Sequence, residues 1–258
     1  MRVTKLLVCT AAFLFVASIP SFSQTSTTQT PASKPKSTTA PTPPATPYDR
    51  TLLKPSLLKE TAPDTYQVKF VTTRGEFTVS VTRAWAPIGA DRFYNLVKHH
   101  YYDGARIFRV LPNFVAQFGI SAYPPINAAW DKATIKDDPV IQKNRRGTLT
   151  FAKTGMPNSR TTEIFINLKD NPSLDSQGFS AFGVVEDKGL NVVGMFYDQY
   201  GDSAGMDQEA MEKGGEKYIA AKWPKLDTIT SATIVGGTAS TSSPSANPAA
   251  KPATTSKP

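Results

Sequence analysis

Ten of the chain's 21 prolines fall in two stretches, 24–48 and 236–258, that are otherwise mostly Thr, Ser and Ala. Stretches of this kind bury too little apolar surface to offset the entropy of ordering them. A fold that fills all 258 residues is excluded, and a folded core is expected near 49–235.

The charge contracts in the same way. The chain is formally +8. Arg2, Lys5, Lys34, Lys36, Lys251 and Lys257 lie outside the core with no acidic residue among them, so +8 less these six leaves +2. A nearly neutral domain argues against nucleic acid as a partner.

The leader has the three parts of a secretory signal. Arg2 and Lys5 supply a positive start, and Leu6 to Ala17 is a 12-residue apolar run. That run is too short for a bilayer, which takes about 20 residues. Ser21 and Ser23 then place cleavage before Gln24. The organisation expected is a signal peptide at 1–23, a linker at 24–48, a domain at 49–235 with a surface insertion at 200–222, and a tail at 236–258. Export to the periplasm or the exterior is expected, without stable membrane insertion after cleavage. Cys9 is the sole cysteine and leaves with the leader, so the mature chain has no disulfide and no thiolate metal site. Its core must carry the stability alone.

Within the core, Tyr66, Val68 and Phe70 alternate, as do Phe77, Val79 and Val81, with Thr73-Arg74-Gly75 between them. This pattern predicts a β-hairpin over 66–82. Pro87 opens a predicted helix at 87–98 whose Ile88, Phe93, Leu96 and Val97 lie close to one face. Strands are predicted at 105–111, 115–119, 147–152, 163–168, 179–185 and 229–235, with a short helix at 190–199. Residues 200–222 are rich in Gly and charge, with helix predicted near 207–221. Many short strands with two or three helices point to an all-β fold, a closed or nearly closed antiparallel barrel.

The common catalytic sets are missing. His99 and His100, the only histidines, are adjacent at a helix end, where they do not share a face and are not expected to bind one metal. No phosphate-binding Gly-rich loop with Lys-Ser/Thr occurs, no zincin spacing and no Ser nucleophile elbow. The stretch Phe108-Arg109-Val110-Leu111-Pro112-Asn113-Phe114-Val115-Ala116-Gln117-Phe118-Gly119 is unusual, because it sets Arg109 and Gln117 among apolar neighbours.

With its surroundings that stretch resembles the cyclophilin family of peptidyl-prolyl cis-trans isomerases. Phe93 to Val97, Tyr101-Tyr102-Asp103-Gly104, Gly147 to Ala152, Thr161 to Ile166, Leu174-Asp175 and Phe182 to Val185 follow the family's order and spacing. The resemblance covers about 66–198 and resumes at 229–235. It implies a closed eight-stranded antiparallel barrel capped by helices, with a substrate groove on its outer face. It implies catalytic roles for Arg109, Phe114 and Gln117, with Phe114 and Phe165 lining a proline pocket. Val115, Leu174, Ala152 and Lys153 match further groove positions, Val115 standing where the family usually has Met. Phe179 matches the family's pocket His across a one-residue difference in length. Glu163 replaces a Gln that supports the arginine, and a Glu163–Arg109 ion pair with a lowered Glu163 pKa is expected. Phe118-Gly119-Ile120 departs from Gly-Gly-Asp, and Ser173 stands where many members carry a Trp that contacts cyclosporin.

The chemistry suits these residue types. Rotating an X–Pro amide breaks no bond, so no nucleophile, metal or cofactor is needed; the barrier is about 18–20 kcal/mol. A charged N–H aimed at the pyramidal nitrogen of the twisted amide stabilises that state over the planar one. The partners implied are Pro-containing peptides or unfolded segments of exported proteins, and the protein is expected to act as a monomer. The alternative is a non-catalytic, chaperone-like module of the envelope that only binds such segments.

Overall fold

The computed structural model describes residues 47–238; the leader, most of the linker and most of the tail lie outside them. Strands β1 (Thr65–Thr72) and β2 (Gly75–Thr82) form the predicted hairpin. Tyr66, Val68 and Phe70 face Val81, Val79 and Phe77 across it. All six are buried, and the Phe70 and Phe77 rings stack at 4.8 Å. The turn needs Gly75, whose φ of 125° lies where a side chain is strained.

Helix α1 (Pro87–Lys98) begins at its proline and lacks a side-chain cap from its own N-cap residue. Asp138 substitutes from a distance, accepting from the Ile88 and Gly89 amides at 3.0 and 2.8 Å. Ala90, Phe93, Leu96 and Val97 form the buried face. Ile88 is exposed instead, because five residues of helix set it about 140° round from Phe93.

The chain continues through β3 (Ile107–Val110), β4 (Val115–Phe118), α2 (Pro124–Trp130), β5 (Thr148–Phe151), β6 (Ile164–Asn167), α3 (Pro172–Ser176) and β7 (Ala181–Val185). After α4 (Gly189–Val193), α5 (Gly201–Gly205) and α6 (Gln208–Lys222) it ends in β8 (Ile229–Thr238). The strands form one antiparallel sheet in the order β3-β4-β6-β5-β7-β2-β1-β8. Its concave face holds the main core, where Phe70, Phe93, Tyr102, Phe118 and Phe182 meet ring to ring.

The sheet is curled but its ladder does not close, which corrects the expected closed barrel. Its end strands meet only where they begin, at an isolated Arg106–Thr228 bridge. Backbone bonds of 2.9 Å from Ile107 N to Asp227 O and from Ile229 N to Ala105 O flank it. The ladder cannot lengthen because the chain before Asp227 turns at Pro224 into α6, and the Arg106 side chain takes the Leu226 carbonyl at 2.8 Å.

Three further expectations are corrected. The described residues hold six α-helices and three short 3-10 segments, not two or three helices. The helix predicted at 190–199 ends at Val193, capped by Gly194, and the Tyr197 amide turns aside to donate to Asp227 at 2.7 Å. The 200–222 segment is no loose surface insertion. Ala204, Met211 and Ile219 bury themselves with Phe108, Ile120 and Leu226 in a second core. Gly215 breaks α6 at φ 59° so that the segment can sit on α2; a Cβ there would lie 2.6 Å from the Ala122 oxygen.

Candidate active site

Strand alternation sorts β4 and β6 into two faces. Ala116, Phe118, Ile164 and Ile166 enter the main core, while Val115 and Phe165 face outward with Leu174. Gln117, paired with Phe165 across the strands, shares the outer face. On β3 the register slips between Ile107 and Arg109, leaving Phe108 as an extra residue. Ile107 and Val110 still enter the main core, and Phe108 joins the second core. Such a bulge re-aims side chains beside sites, and here it brings Arg109 opposite Gln117.

The surrounding turns are held by buried polar groups. The Asn171 amide donates to the Phe114 carbonyl at 3.0 Å and to Asn167 at 2.7 Å, which fixes the β3–β4 turn against α3. Arg160 donates to Asp137 and to the Gly178 carbonyl, tying the loop after Lys153 to the turn that carries Phe179. Phe179 packs edge-on against Phe165 at 5.7 Å, and the Lys153 ammonium lies 5.2 Å from the Phe179 ring centroid.

These elements enclose a cavity of about 140 Å³. Arg109, Phe114, Val115, Gln117, Ala152, Lys153, Phe165, Leu174 and Phe179 line it. Drug-sized sites run to about 300–1,000 Å³, so this one suits a single small ring. Nine of the ten residues singled out in the sequence converge here. The tenth, Glu163, does not line the cavity. A larger cleft of about 690 Å³ lies beside α3, but Asp175 within it is engaged with Asn144 at 2.9 Å.

Arg109 and Glu163 do not pair, which corrects the expected ion pair. Gln117 lies between them: its Oε1 accepts from Arg109 Nη1 at 3.2 Å, and its Nε2 donates to Glu163 Oε2 at 2.7 Å. An arginine only donates and a carboxylate only accepts, so the two ends dictate which way the Gln117 amide points. The pKa expectation is also reversed. Burial pushes the Glu163 carboxyl up to about 7, with the like charge of Glu212 adding to it and the Gln117 bond opposing. The backbone explains the burial, since Gly119 (φ 123°) lets its own turn close on Glu163; a Cβ there would lie 2.6 Å from Glu163 Cα.

The charged partner of Arg109 is Asp202 on α5, whose Oδ1 accepts from Nε at 2.6 Å. The guanidinium also lies 5.8 Å from the Phe114 ring centroid. Sequence reasoning missed Asp202, Glu212 and Asn171. A carboxylate in the Gly-rich 200–222 segment was visible, but nothing in its spacing pointed to β3. His99 and His100 have separate partners, Asp49 at 2.6 Å and Asp103 at 3.1 Å. Among the described residues no group of three His, Cys, Asp or Glu is placed to hold a metal ion.

Comparison with known proteins gives a consistent picture. A family model described as cyclophilin type peptidyl-prolyl cis-trans isomerase/CLD matches residues 67–215. A peptidyl-prolyl cis-trans isomerase of Acinetobacter baylyi is 32% identical over 166 residues, covering 62% of this chain and 87% of that one. Peptidyl-prolyl cis-trans isomerase B of Escherichia coli is 30% identical over 150 residues, covering 55% and 90%. The crystal structure of a Cryptosporidium parvum cyclophilin type isomerase superposes with a TM-score of 0.50 at 20% identity, over 67% of this chain and 99% of that one, and shares the fold.

Proposed function

The chain belongs to the cyclophilin-type peptidyl-prolyl cis-trans isomerase family and is a peptidyl-prolyl cis-trans isomerase; from that premise we propose how its site turns the X–Pro bond and where it works. The observation that carries the reading is the meeting of a guanidinium and an aromatic pocket in one small cavity.

The proline ring enters the pocket of Phe114, Val115, Phe165, Leu174 and Phe179, and the backbone at Ala152 and Lys153 holds the adjoining peptide. With the ring fixed, the rest of the peptide rotates. Twisting the amide localises a lone pair on its nitrogen, and an Arg109 N–H donates to it. The planar ground state offers that donor little, so the contact lowers the barrier instead of merely tightening binding. Accelerating rotation by about 10⁵ requires roughly 7 kcal/mol. Gln117 orients Arg109, and Glu163 orients Gln117. No bond is broken, so the cycle calls for no cofactor.

The clients are proline-containing, unfolded segments of exported or envelope proteins, whose folding the enzyme assists. The tripartite leader at 1–23 supports this location, and the mature N-terminus is expected at Gln24 when the chain is expressed in a bacterium with a secretory pathway. Mass spectrometry of the recovered protein tests it; a cytosolic product that retains the leader contradicts export. A protease-coupled assay on a chromogenic Xaa-Pro peptide tests the site, with catalysis above the uncatalysed rate as the expected result. Binding of the peptide without any rate increase would instead make the domain a Pro-peptide-binding module.

A further inference from the structure

The 200–222 segment reaches Arg109 directly through α5. Nε–H is bonded to Asp202 and one Nη1–H to Gln117. Asp202 and Gly205 lie three residues apart on α5, one helical turn. Gly205 lets the helix backbone rest directly on the arginine stem; a Cβ there would lie 2.6 Å from Arg109 Cδ and 2.9 Å from Cγ. Helix α5 is itself anchored, since Ala204 is fully buried in the second core beside Phe108, the chain neighbour of Arg109. The same segment also grips Arg106, whose Nε donates to Glu216 at 3.0 Å.

A free arginine spreads over many rotamers, and fixing it costs about 2 kcal/mol of side-chain entropy. That cost falls on every turnover unless the protein meets it beforehand. We propose that Asp202 and Gly205 form a positioning clamp for Arg109, holding its stem and its Nε so that the remaining guanidinium N–H groups present themselves to the twisted amide. The inference rests on the reading of Arg109 given above. Asp202 is a positioning residue; it touches no substrate. The side chains of Arg109 and Asp202 are 24% and 57% exposed, so salt screens the pair.

The test compares wild type with Asp202→Ala and Asp202→Asn, using Lys213→Gln as a control on the same segment. The control removes an exposed pair with Glu209 and a weaker electrostatic interaction with Glu212, touches neither Arg109 nor Asp202, and is expected to behave as wild type. Asp202→Ala is expected to lower kcat about tenfold, about 1.4 kcal/mol of barrier, with KM within about twofold and the melting temperature unchanged. Asp202→Asn, which keeps an acceptor but loses the charge, falls between. Raising salt brings wild-type kcat towards that of Asp202→Ala and leaves the variant unmoved. Wild-type turnover in Asp202→Ala, or a gain, overturns the clamp, as does a loss seen only in KM. A readout independent of activity is hydrogen exchange of the Arg109 Nε–H by NMR, assigned with Arg109→Lys. Exchange should be slow in wild type and faster in Asp202→Ala; equal rates overturn the clamp. Should wild type prove inert towards every Xaa-Pro peptide, the catalytic reading fails while this exchange comparison still decides whether Asp202 holds Arg109.

Discussion

Glu163 is a carboxyl whose neighbours work against its charge. Burial and Glu212 raise its pKa to about 7, against an ordinary value of 4.5. The folded protein therefore holds a proton there that the unfolded chain has already released. Between about pH 4.5 and 7 the folded state binds more protons than the unfolded one, so stability falls as pH rises and levels off above 7. The span limits the effect to about 3 kcal/mol. Glu163→Gln has no such titration, and its gain in stability over wild type should grow from pH 5 to pH 8. Denaturant melts at both pH values check this; a pH-independent difference would mean that Glu163 titrates normally. A glutamine at 163 can still accept from Gln117 Nε2 and keep that amide in place. Turnover of the variant should therefore stay within about threefold of wild type at neutral pH, under 1 kcal/mol of barrier.

At the scale of elements, legibility followed the range of the interactions. The hairpin of β1 and β2 and the span of α1 rest on local alternation, a glycine turn and an N-terminal proline, so both were readable. The pocket residues were readable through a shared pattern of motifs, and Arg109, Phe114, Gln117 and Phe165 do converge. The docking of α5 and α6 was not readable. It depends on Phe108 and Ile120 meeting Met211 and Ile219 about a hundred residues on, and no local period encodes such a meeting. Glycine is a poor helix former, yet Gly215 is the joint that seats α6. Gly215→Ala places a Cβ against the Ala122 oxygen and the Pro124 ring at φ 59°. It should lower stability by about 1–3 kcal/mol. Denaturant unfolding checks this, and a neutral substitution would mean that the segment does not pack on α2 as described. Glu163 was misassigned for a related reason: the expectation supplied one partner for Arg109 and overlooked that Gln117 stands between the two.

At the scale of the whole molecule, the domain extends beyond the family match. Residues ahead of β1 belong to it: Leu52 is buried, its carbonyl accepts from the Trp130 indole at 2.8 Å, and Asp49 meets His99. Limited proteolysis of the full chain should leave a fragment near 49–235, because the proline-rich flanks contain too few apolar residues to join a core. Intact flanks after prolonged digestion would show that they dock on the domain or on one another. The whole fold serves one point on its outer face, where a curled sheet supplies the rigid wall, α3 and the nearby turns enclose an aromatic pocket, and the added helices brace the charge at its rim. On this account Arg109 acts on the twisted amide and not on the resting peptide. The most direct measurement is kcat and KM of Arg109→Ala on a short Xaa-Pro peptide in the protease-coupled assay. A fall in kcat of at least about a hundredfold, about 2.7 kcal/mol, with KM changed by less than about threefold, is the expected result. An unchanged kcat, or equal losses in turnover and affinity, would contradict it.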